Sequence, residues 1–226
     1  TYVANQAAAD DIATGDTATD VFNYTLSDGT TTDTATITIT VTGVDAPVAA
    51  NDTGSVNEDA TLTVSDGSGD IIADNDSGSG TLVVSAIRTG GTEGSGTAGT
   101  LGQALTGTYG QLTLNANGSY SYVANQAAAD ALDASDTATD IFNYTLSNGS
   151  GTDTATITIT VTGINDPVAA ANDTGSVNED ATLTVSDGSG DIIANNDTDA
   201  DDSASLVVSA IRTGGTEGSG TAGTVG

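Results

Sequence analysis

The feature that most constrains the fold is a long internal repeat. Residues align with residues 120 positions later, so that Tyr2 matches Tyr122, Phe22 matches Phe142 and Pro47 matches Pro167. Further along, after small insertions, Glu58 matches Glu179 and Leu82 matches Leu206. This period is the length of a whole domain (about 100–150 residues), whereas a solenoid coil repeats every 20–50 residues or so. Each repeat is therefore expected to fold around a core of its own.

The chain contains only two prolines, and they mark the boundaries between repeats. They give residues 1–46 as the C-terminal part of one repeat, 47–166 as a complete repeat and 167–226 as the N-terminal part of the next. On this division the chain is expected to be an excerpt of a longer array. The alternative is that the two partial repeats of successive molecules complete one another, without an equivalent of residues 103–120.

Alternating apolar and polar residues predict β-strands throughout the complete repeat. The clearest strand is T-A-T-I-T-I-T-V-T from Thr154 to Thr162, with threonines facing outward. Asn117-Gly118 predicts a tight hairpin because both residues tolerate a positive φ. Residues 48–51 are expected to form a short strand, and the alanine-rich segment 124–132 one or two helical turns.

About seven short strands separated by glycine and Asx turns are typical of an antiparallel β-sandwich. The predicted fold class is all-β, with tandem sandwich repeats of about 120 residues. The few large side chains are expected to form the core. They are Tyr120, Tyr122, Phe142 and Tyr144, together with the isoleucines.

Charge and composition exclude several functions. The chain has 31 acidic residues, two arginines and a formal net charge of −29, so it repels nucleic acid and anionic membranes. No apolar run reaches the 18 or so residues that a membrane span needs. The absence of cysteine excludes disulfides and thiol chemistry, and histidine and lysine are absent too. Paired acids could hydrolyse glycosides, but here they lie in polar loops, so we do not expect an enzyme.

The acidic residues cluster in loops, which favours calcium binding. Ca²⁺ takes six to eight or so oxygen ligands in irregular geometry. The strongest candidate is the loop N-N-D-T-D-A-D-D at 195–202, where Asp197, Asp199 and Asp201 alternate. A second set comprises the N-E-D triplets at 57–59 and 178–180, with acids and amides beside the prolines. The alternatives are a solvated acidic loop and a hydrophilic linker.

The complete list of candidate calcium ligands extends over both repeats. It comprises Asp197, Asp199, Asp201, Asp202, Glu179, Asp180, Asp173, Asp166, Asn165, Glu58, Asp59, Asp52, Asp45, Asp74 and Asp76.

Several ordered motifs resemble a known family. V-T-G-I-N-D-P-V-A, then N-D-T-G-S-V-N-E-D-A-T-L-T-V and A-N-N-D-T-D-A-D, are similar to the bacterial VCBS and cadherin-like tandem repeats. The hairpin G-Q-L-T-L-N-A-N-G-S-Y-S-Y-V-A-N and the strand D-I-F-N-Y-T-L-S-N-G fit the same pattern, so the resemblance covers the whole chain. It implies Ig-like sandwiches, commonly calcium-binding, in large secreted or surface-anchored bacterial adhesins and matrix proteins.

The resemblance also distinguishes the two joints between repeats, the first being V-D-A-P at 44–47 and the second I-N-D-P at 164–167. It places the family's acidic loop on Asp197, Asp199 and Asp201, and its N-E-D acids on Glu179 and Asp180. The complete repeat departs from the pattern. Its loop A-D-N-D-S-G-S-G retains two acids, at 74 and 76, and its joint V-D-A-P retains one, at 45. Adjacent joints are therefore expected to differ in calcium affinity and in stiffness.

Two functions remain in view. The first is a calcium-stabilised structural repeat of an extracellular adhesin or matrix filament. Its partners would be neighbouring repeats, further copies in a fibre, or a cell-surface or matrix ligand. The second is a carbohydrate- or protein-binding module that acts through the Gly/Thr-rich loop at 90–102. That loop contains no aromatic residue, so it is a poor platform for a sugar.

Overall fold

The computed structural model describes residues 1–186, 191–194, 196–201 and 205–225. The first elements of the chain are α1 (Ala7–Asp10), β1 (Thr17–Ser27) and β2 (Thr32–Thr42). The complete repeat contains β3 (Asp52–Asn57), β4 (Thr61–Val64), α2 (Ile71–Asn75), β5 (Val83–Thr89), β6 (Ala104–Thr106), β7 (Gln111–Leu114), β8 (Tyr120–Val123), α3 (Ala127–Asp130), β9 (Thr137–Ser147) and β10 (Thr152–Thr162).

The strands of the complete repeat form two four-stranded sheets. Their orders are β3-β10-β9-β5 and β4-β8-β7-β6. The predicted β-sandwich is confirmed, and the helical turns predicted at 124–132 are present as α3. One pair differs from the antiparallel expectation, because β3 runs parallel to β10, with Val56 opposite Val161. This parallel pair brings the C-terminal ends of two strands to the same edge of the sheet.

The strand expected at residues 48–51 is not formed, so that prediction was wrong. There Val48 makes only an isolated bridge to Ser77, and the strand begins at Asp52. Asp, Gly and Asn are poor strand formers, so the sequence D-T-G-S-V-N gives little signal for β3. Pairing with the edge of β10 overrides that weak propensity.

The core lies between the two sheets and follows the alternation of β9 and β10. Phe142, Tyr144 and Leu146 of β9 are fully buried, and so are Ile157 and Ile159 of β10. The predicted core aromatics are confirmed as buried. An edge-to-face contact joins the rings of Tyr122 and Phe142, with centroids 6.4 Å apart. Burial of side chains this large supplies most of the driving force for folding.

A short helix, α2, has no counterpart in the sequence prediction. Asp70 caps it, accepting hydrogen bonds from the backbone N–H groups of Ile72 and Ala73 at 2.9 and 2.8 Å. The helix buries Ile71 completely. Its five residues are too few for a helical period to show in the sequence.

The segments that flank the complete repeat are less covered. β1 and β2 pair only with each other, as a two-stranded sheet most of whose apolar side chains are exposed. The described residues after Thr162 form isolated bridges but no strand. In the described part of the chain, no helix has the length and apolar character that crossing a membrane requires.

Candidate metal centre

Glu58 is the acid that the fold buries most deeply at one end of the sandwich, with 1% of its surface exposed. It follows directly after β3, and its backbone N–H donates to the Thr162 carbonyl at 2.9 Å. Asp59 then turns the chain back with a left-handed φ of 57°. Because β3 and β10 are parallel, this turn places the Glu58 side chain beside the residues that leave β10. Its Oε1 accepts a hydrogen bond from the Ile164 N–H.

The exit from β10 brings Asp166 to the same place. Gly163 is required here, because a Cβ atom would lie 2.5 Å from the Leu132 carbonyl oxygen. The Gly163 N–H donates to the Asp136 carbonyl at 2.8 Å, which holds the chain in this close approach. Pro167 then restricts the backbone directly after Asp166.

The third acid comes from the loop of the following repeat. The Asp166 N–H donates to Asp201 Oδ2 at 3.1 Å. The Asp201 N–H in turn donates to Asp199 Oδ1 at 3.1 Å, so Asp199 shapes the loop. Asp197 accepts a hydrogen bond from the Ala171 N–H at 2.7 Å, which ties the loop to the chain after Pro167.

Glu58, Asp166 and Asp201 together form a three-carboxylate cluster. One oxygen from each lies within 4.8 Å of the others. Two ligands of one Ca²⁺ ion can be at most about 5 Å apart, twice the Ca–O distance of about 2.3–2.6 Å. Among the residues that the structure describes, this is the group of three acids that meets such spacing.

Two oxygens of the cluster lack partners within the protein. Glu58 Oε2 and Asp201 Oδ1 are buried without a hydrogen bond. An unpaired buried carboxylate oxygen is costly, since burial removes water and nothing replaces it. Both atoms belong to the cluster, so a cation held there would satisfy them. A donor set made only of carboxylate oxygens suits a hard ion such as Ca²⁺ and does not favour Zn²⁺.

The pKa values of the cluster also show that its negative charges are disfavoured without a cation. Burial raises the pKa of Glu58, and the charges of Asp166 and Asp201 raise it further, while the hydrogen bond from Ile164 opposes the shift. Desolvation also raises the pKa of Asp166, and the charges of Asp201 and Asp59 add to this effect. A divalent cation would reverse this balance, because it favours the ionised form of each carboxyl group.

A second acidic group lies elsewhere in the complete repeat, around the buried hydroxyl of Tyr144. That hydroxyl lies 3.0 Å from Asp52 Oδ2 and 3.2 Å from both Asp76 oxygens. It also lies 2.8 Å from the Ala50 carbonyl. Burial raises the pKa of Asp52 to about 7 in spite of the hydrogen bond from Tyr144. This group comprises two carboxylates and a phenol, and no third acid completes it among the described residues.

Comparison with known proteins identifies the fold family. The model of the bacterial cadherin-like domain matches residues 44–163, more than half of the chain. The chain belongs to the bacterial cadherin-like domain family. Domains of this family are typically extracellular and non-enzymatic, commonly bind calcium and mediate homophilic or repeat interactions.

Several solved structures match the chain at low overall similarity. Mouse clustered PcdhgC3 EC1-3 is 17% identical with a TM-score of 0.32, over 66% of this chain and 44% of that one. Two structures of an endo-fucoidan hydrolase of glycoside hydrolase family 107 have TM-scores of 0.27 and 0.25 and are 17% and 16% identical. Each of these two matches covers 69% of this chain and 20% of the hydrolase. The chain thus spans less than half of each neighbour. Among curated protein sequences, none matches the chain.

The other predicted calcium ligands differ in how close they lie to the three-carboxylate cluster. Asn165 lies beside the three-carboxylate cluster, where its amide donates to the Asp166 carbonyl at 2.6 Å. Glu179 and Asp180 are exposed and lie outside the cluster. Asp173 is exposed too, and Asp202 falls outside the described residues. Asp74 adds only negative charge near Asp52.

The first joint lacks the acid that the second joint contributes to the cluster, and hydrogen bonds from neutral side chains hold its backbone. Ala46 stands where the second joint has Asp166. The Asp45 side chain is exposed, while its carbonyl accepts from Asn148 Nδ2 at 2.6 Å and from Ser79 Oγ at 3.1 Å. Neutral side chains therefore hold the Asp45 carbonyl, while Asp153 and Asp76 accept hydrogen bonds from the Ala49 and Ala50 N–H groups just after Pro47, at 2.8 and 2.7 Å.

Sequence reasoning named all three acids of the cluster but did not group them. It associated the acidic loop with Glu179 of the same repeat, whereas the structure brings that loop to Glu58 of the preceding one. One sequence feature could have indicated this grouping: the N-E-D triplet at 57–59 and the second joint each lie at the C-terminal end of a predicted strand. Only the parallel β3–β10 pair shows that these two strand ends are neighbours.

Proposed function

We propose that this chain is a structural unit of an extracellular bacterial adhesin or matrix filament in which Ca²⁺ fixes the angle between successive repeats. The observation that carries the proposal is the three-carboxylate cluster with its two unpaired buried oxygens. Its ligands come from three segments: the end of β3, the joint and the loop of the next repeat. An ion bound there would connect two repeats that otherwise meet through one stretch of chain.

Each acid has a distinct role in this proposal. Glu58 supplies the ligand from the preceding repeat and is held in place by the Ile164 N–H. Asp166 supplies the ligand from the joint itself. Asp201 supplies the ligand from the following repeat, and Asp199 positions it through its N–H. Water and backbone carbonyls would complete the six to eight or so ligands that Ca²⁺ takes.

The division into repeats at 1–46, 47–166 and 167–226 is part of the proposal. So is the difference between the joints: the second is ion-dependent, and the first is held by Asn148 and Ser79. A filament built from both kinds would combine joints that respond to calcium with joints that do not.

The test is a calorimetric titration with CaCl₂ of the wild type and of Asp166→Ala, which gives the second joint the residue of the first. We expect the tightest binding event to disappear, or its Kd to rise at least about 10-fold, which is about 1.4 kcal/mol. Asp180→Asn is the control, since it removes the charge of an exposed acid in the following repeat, at a left-handed φ of 57° that asparagine tolerates, and should leave that event unchanged. Equal isotherms for the wild type and Asp166→Ala would refute the assignment.

A further inference from the structure

The second joint contains the only Asp–Pro peptide bond of the sequence, between Asp166 and Pro167. The nitrogen of such a bond belongs to a tertiary amide, so it is more basic than an ordinary backbone nitrogen and leaves more readily. The aspartate side chain reaches its own backbone carbonyl carbon, because their union closes a five-membered ring. An Asp–Pro bond is therefore unusually open to attack by its own side chain.

The structure polarises the carbonyl group of this bond. The Asn165 side-chain amide donates a hydrogen bond to the Asp166 carbonyl oxygen at 2.6 Å. Attack on the carbonyl carbon moves negative charge onto that oxygen, and a donor already in place stabilises the charge as it develops. The Ile164 N–H donates to Glu58, and the Asp166 N–H donates to Asp201. These two bonds fix the backbone on both sides of the Asn165 amide.

The Asp166 carboxylate supplies the nucleophile. One of its oxygens lies within 4.8 Å of oxygens of Glu58 and Asp201. Without a cation these like charges repel one another at short range, so the cluster does not hold the Asp166 side chain in place. With a cation the carboxylate is a ligand, and its oxygens are withheld from the carbonyl carbon.

The first joint lacks both of these groups. Ala46 stands at the position of Asp166, and Asp45 stands at that of Asn165. The Ala46–Pro47 bond therefore has no nucleophile in its own side chain and no amide donor in the side chain before it. The first joint is thus an internal control for the second.

We propose that the chain cleaves itself at the Asp166–Pro167 bond when no cation occupies the three-carboxylate cluster. An oxygen of the Asp166 carboxylate attacks the Asp166 carbonyl carbon, the C–N bond to Pro167 breaks, and the proline nitrogen takes a proton from solvent. The product is a cyclic anhydride, which one water molecule opens to leave a C-terminal Asp166 and an N-terminal Pro167. Nothing is oxidised or reduced, and the net change is the addition of one water.

Cleavage at this bond separates the complete repeat from the repeat that follows. A filament would then shed whatever lies beyond a joint of the second kind when calcium is withdrawn, whereas joints of the first kind would stay intact. The control by a cation rests on the proposed function, while the cleavage itself does not.

The first experiment follows the 226-residue chain by intact mass spectrometry during warm incubation in a mildly acidic buffer, with chelator or with CaCl₂. In chelator we expect two fragments, residues 1–166 and 167–226, whose masses add up to that of the chain plus one water. The Ala46–Pro47 bond should stay intact. At a free calcium concentration of about 100 times Kd, about one molecule in 100 has an empty site, so cleavage should slow about 100-fold.

Variants separate the two reacting groups. Asp166→Ala removes the nucleophile and should abolish cleavage. Asn165→Ala keeps the Asp–Pro bond but removes the donor, and it should slow cleavage in chelator at least about 10-fold. Asn172→Ala removes an exposed amide of the following repeat, so it is the control and should cleave at the wild-type rate. Unfolding the wild type in urea releases the Asn165 amide and should slow cleavage as much as Asn165→Ala does.

Three results would overturn the proposal. They are a wild-type chain that stays intact in chelator, cleavage that is as fast in urea as in the folded chain, and a rate for Asn165→Ala equal to that of the wild type. Equal rates with and without calcium would contradict only the control by a cation. Calcium binding is measured separately by the titration of Asp166→Ala, so failure of the cleavage and failure of the calcium site are distinguishable.

Discussion

Glu58→Gln should change the stability of the complete repeat in a way that depends on calcium. Without a cation, Glu58 is a buried acid with one unpaired oxygen beside two further acids. Glutamine keeps the acceptor for the Ile164 N–H, removes the charge and offers an amide N–H to the carboxylates of Asp166 or Asp201. Relieving an unsatisfied buried group contributes about 1–3 kcal/mol, so in chelator the variant should be the more stable protein.

Calcium should then stabilise the wild type much more than the variant. At a free concentration of about 100 times Kd, binding stabilises a protein by about 2.7 kcal/mol. A variant whose Kd is about 100-fold higher gains only about 0.4 kcal/mol under the same conditions. The calcium-dependent gain should therefore shrink by about 2.3 kcal/mol, which is several degrees of Tm for a domain of this size.

Scanning calorimetry of both proteins in chelator and in calcium measures these differences. Glu179→Gln is the matched control, because it makes the same change in the exposed copy of the motif and should leave the calcium gain intact. The pH dependence provides a further check. Burial raises the pKa of Glu58, so the wild type is penalised as the pH rises, and the advantage of the variant in chelator should fade in acid. A variant that is less stable in chelator, or that keeps the full calcium gain, would refute the reasoning.

Two further predictions use the repeat as its own control. Asp140 accepts hydrogen bonds from the Tyr122 hydroxyl at 2.6 Å and from three backbone N–H groups between β6 and β7. Asp140→Asn should therefore lower the free energy of unfolding of the complete repeat by about 2–4 kcal/mol, measured by urea unfolding. Asp20→Asn, the equivalent change in the exposed β1–β2 hairpin, should leave it unchanged. The pKa of Asp52 is raised to about 7, so its contribution to stability is greatest below its unfolded pKa of about 4 and is lost as the pH rises through 7. In chelator, Asp52→Asn should flatten the fall in Tm between these limits and Asp173→Asn should leave it unchanged, whereas an unaltered slope in Asp52→Asn would contradict the burial of that charge.

Much of the fold could be predicted from local pattern. The threonine alternation of β10 fixed which residues face the core, and Asn117-Gly118 fixed the β7–β8 hairpin. β3 could not be predicted in the same way, because its Asp, Gly and Asn carry almost no strand propensity. Period-two alternation also does not say which strand pairs with which, or in which direction.

Without the strand pairing, the candidate site could not be predicted from the sequence. A sequence reveals acidic loops, but not which loop from one repeat meets which strand end from another. Asp197 and Asp199 alternate with Asp201 as ligands would, yet their carboxylates accept hydrogen bonds from the backbone. Glu58 looks no different from Glu179 in sequence. Only the three-dimensional position of β10 beside β3 distinguishes the buried acid from the exposed one.

The most direct test of the calcium account is an anomalous-difference map from crystals grown with calcium. We predict a peak at about 2.3–2.6 Å from carboxylate oxygens of Glu58, Asp166 and Asp201. A peak confined to the loop of Asp197 and Asp199, or no peak within reach of Glu58, would contradict it.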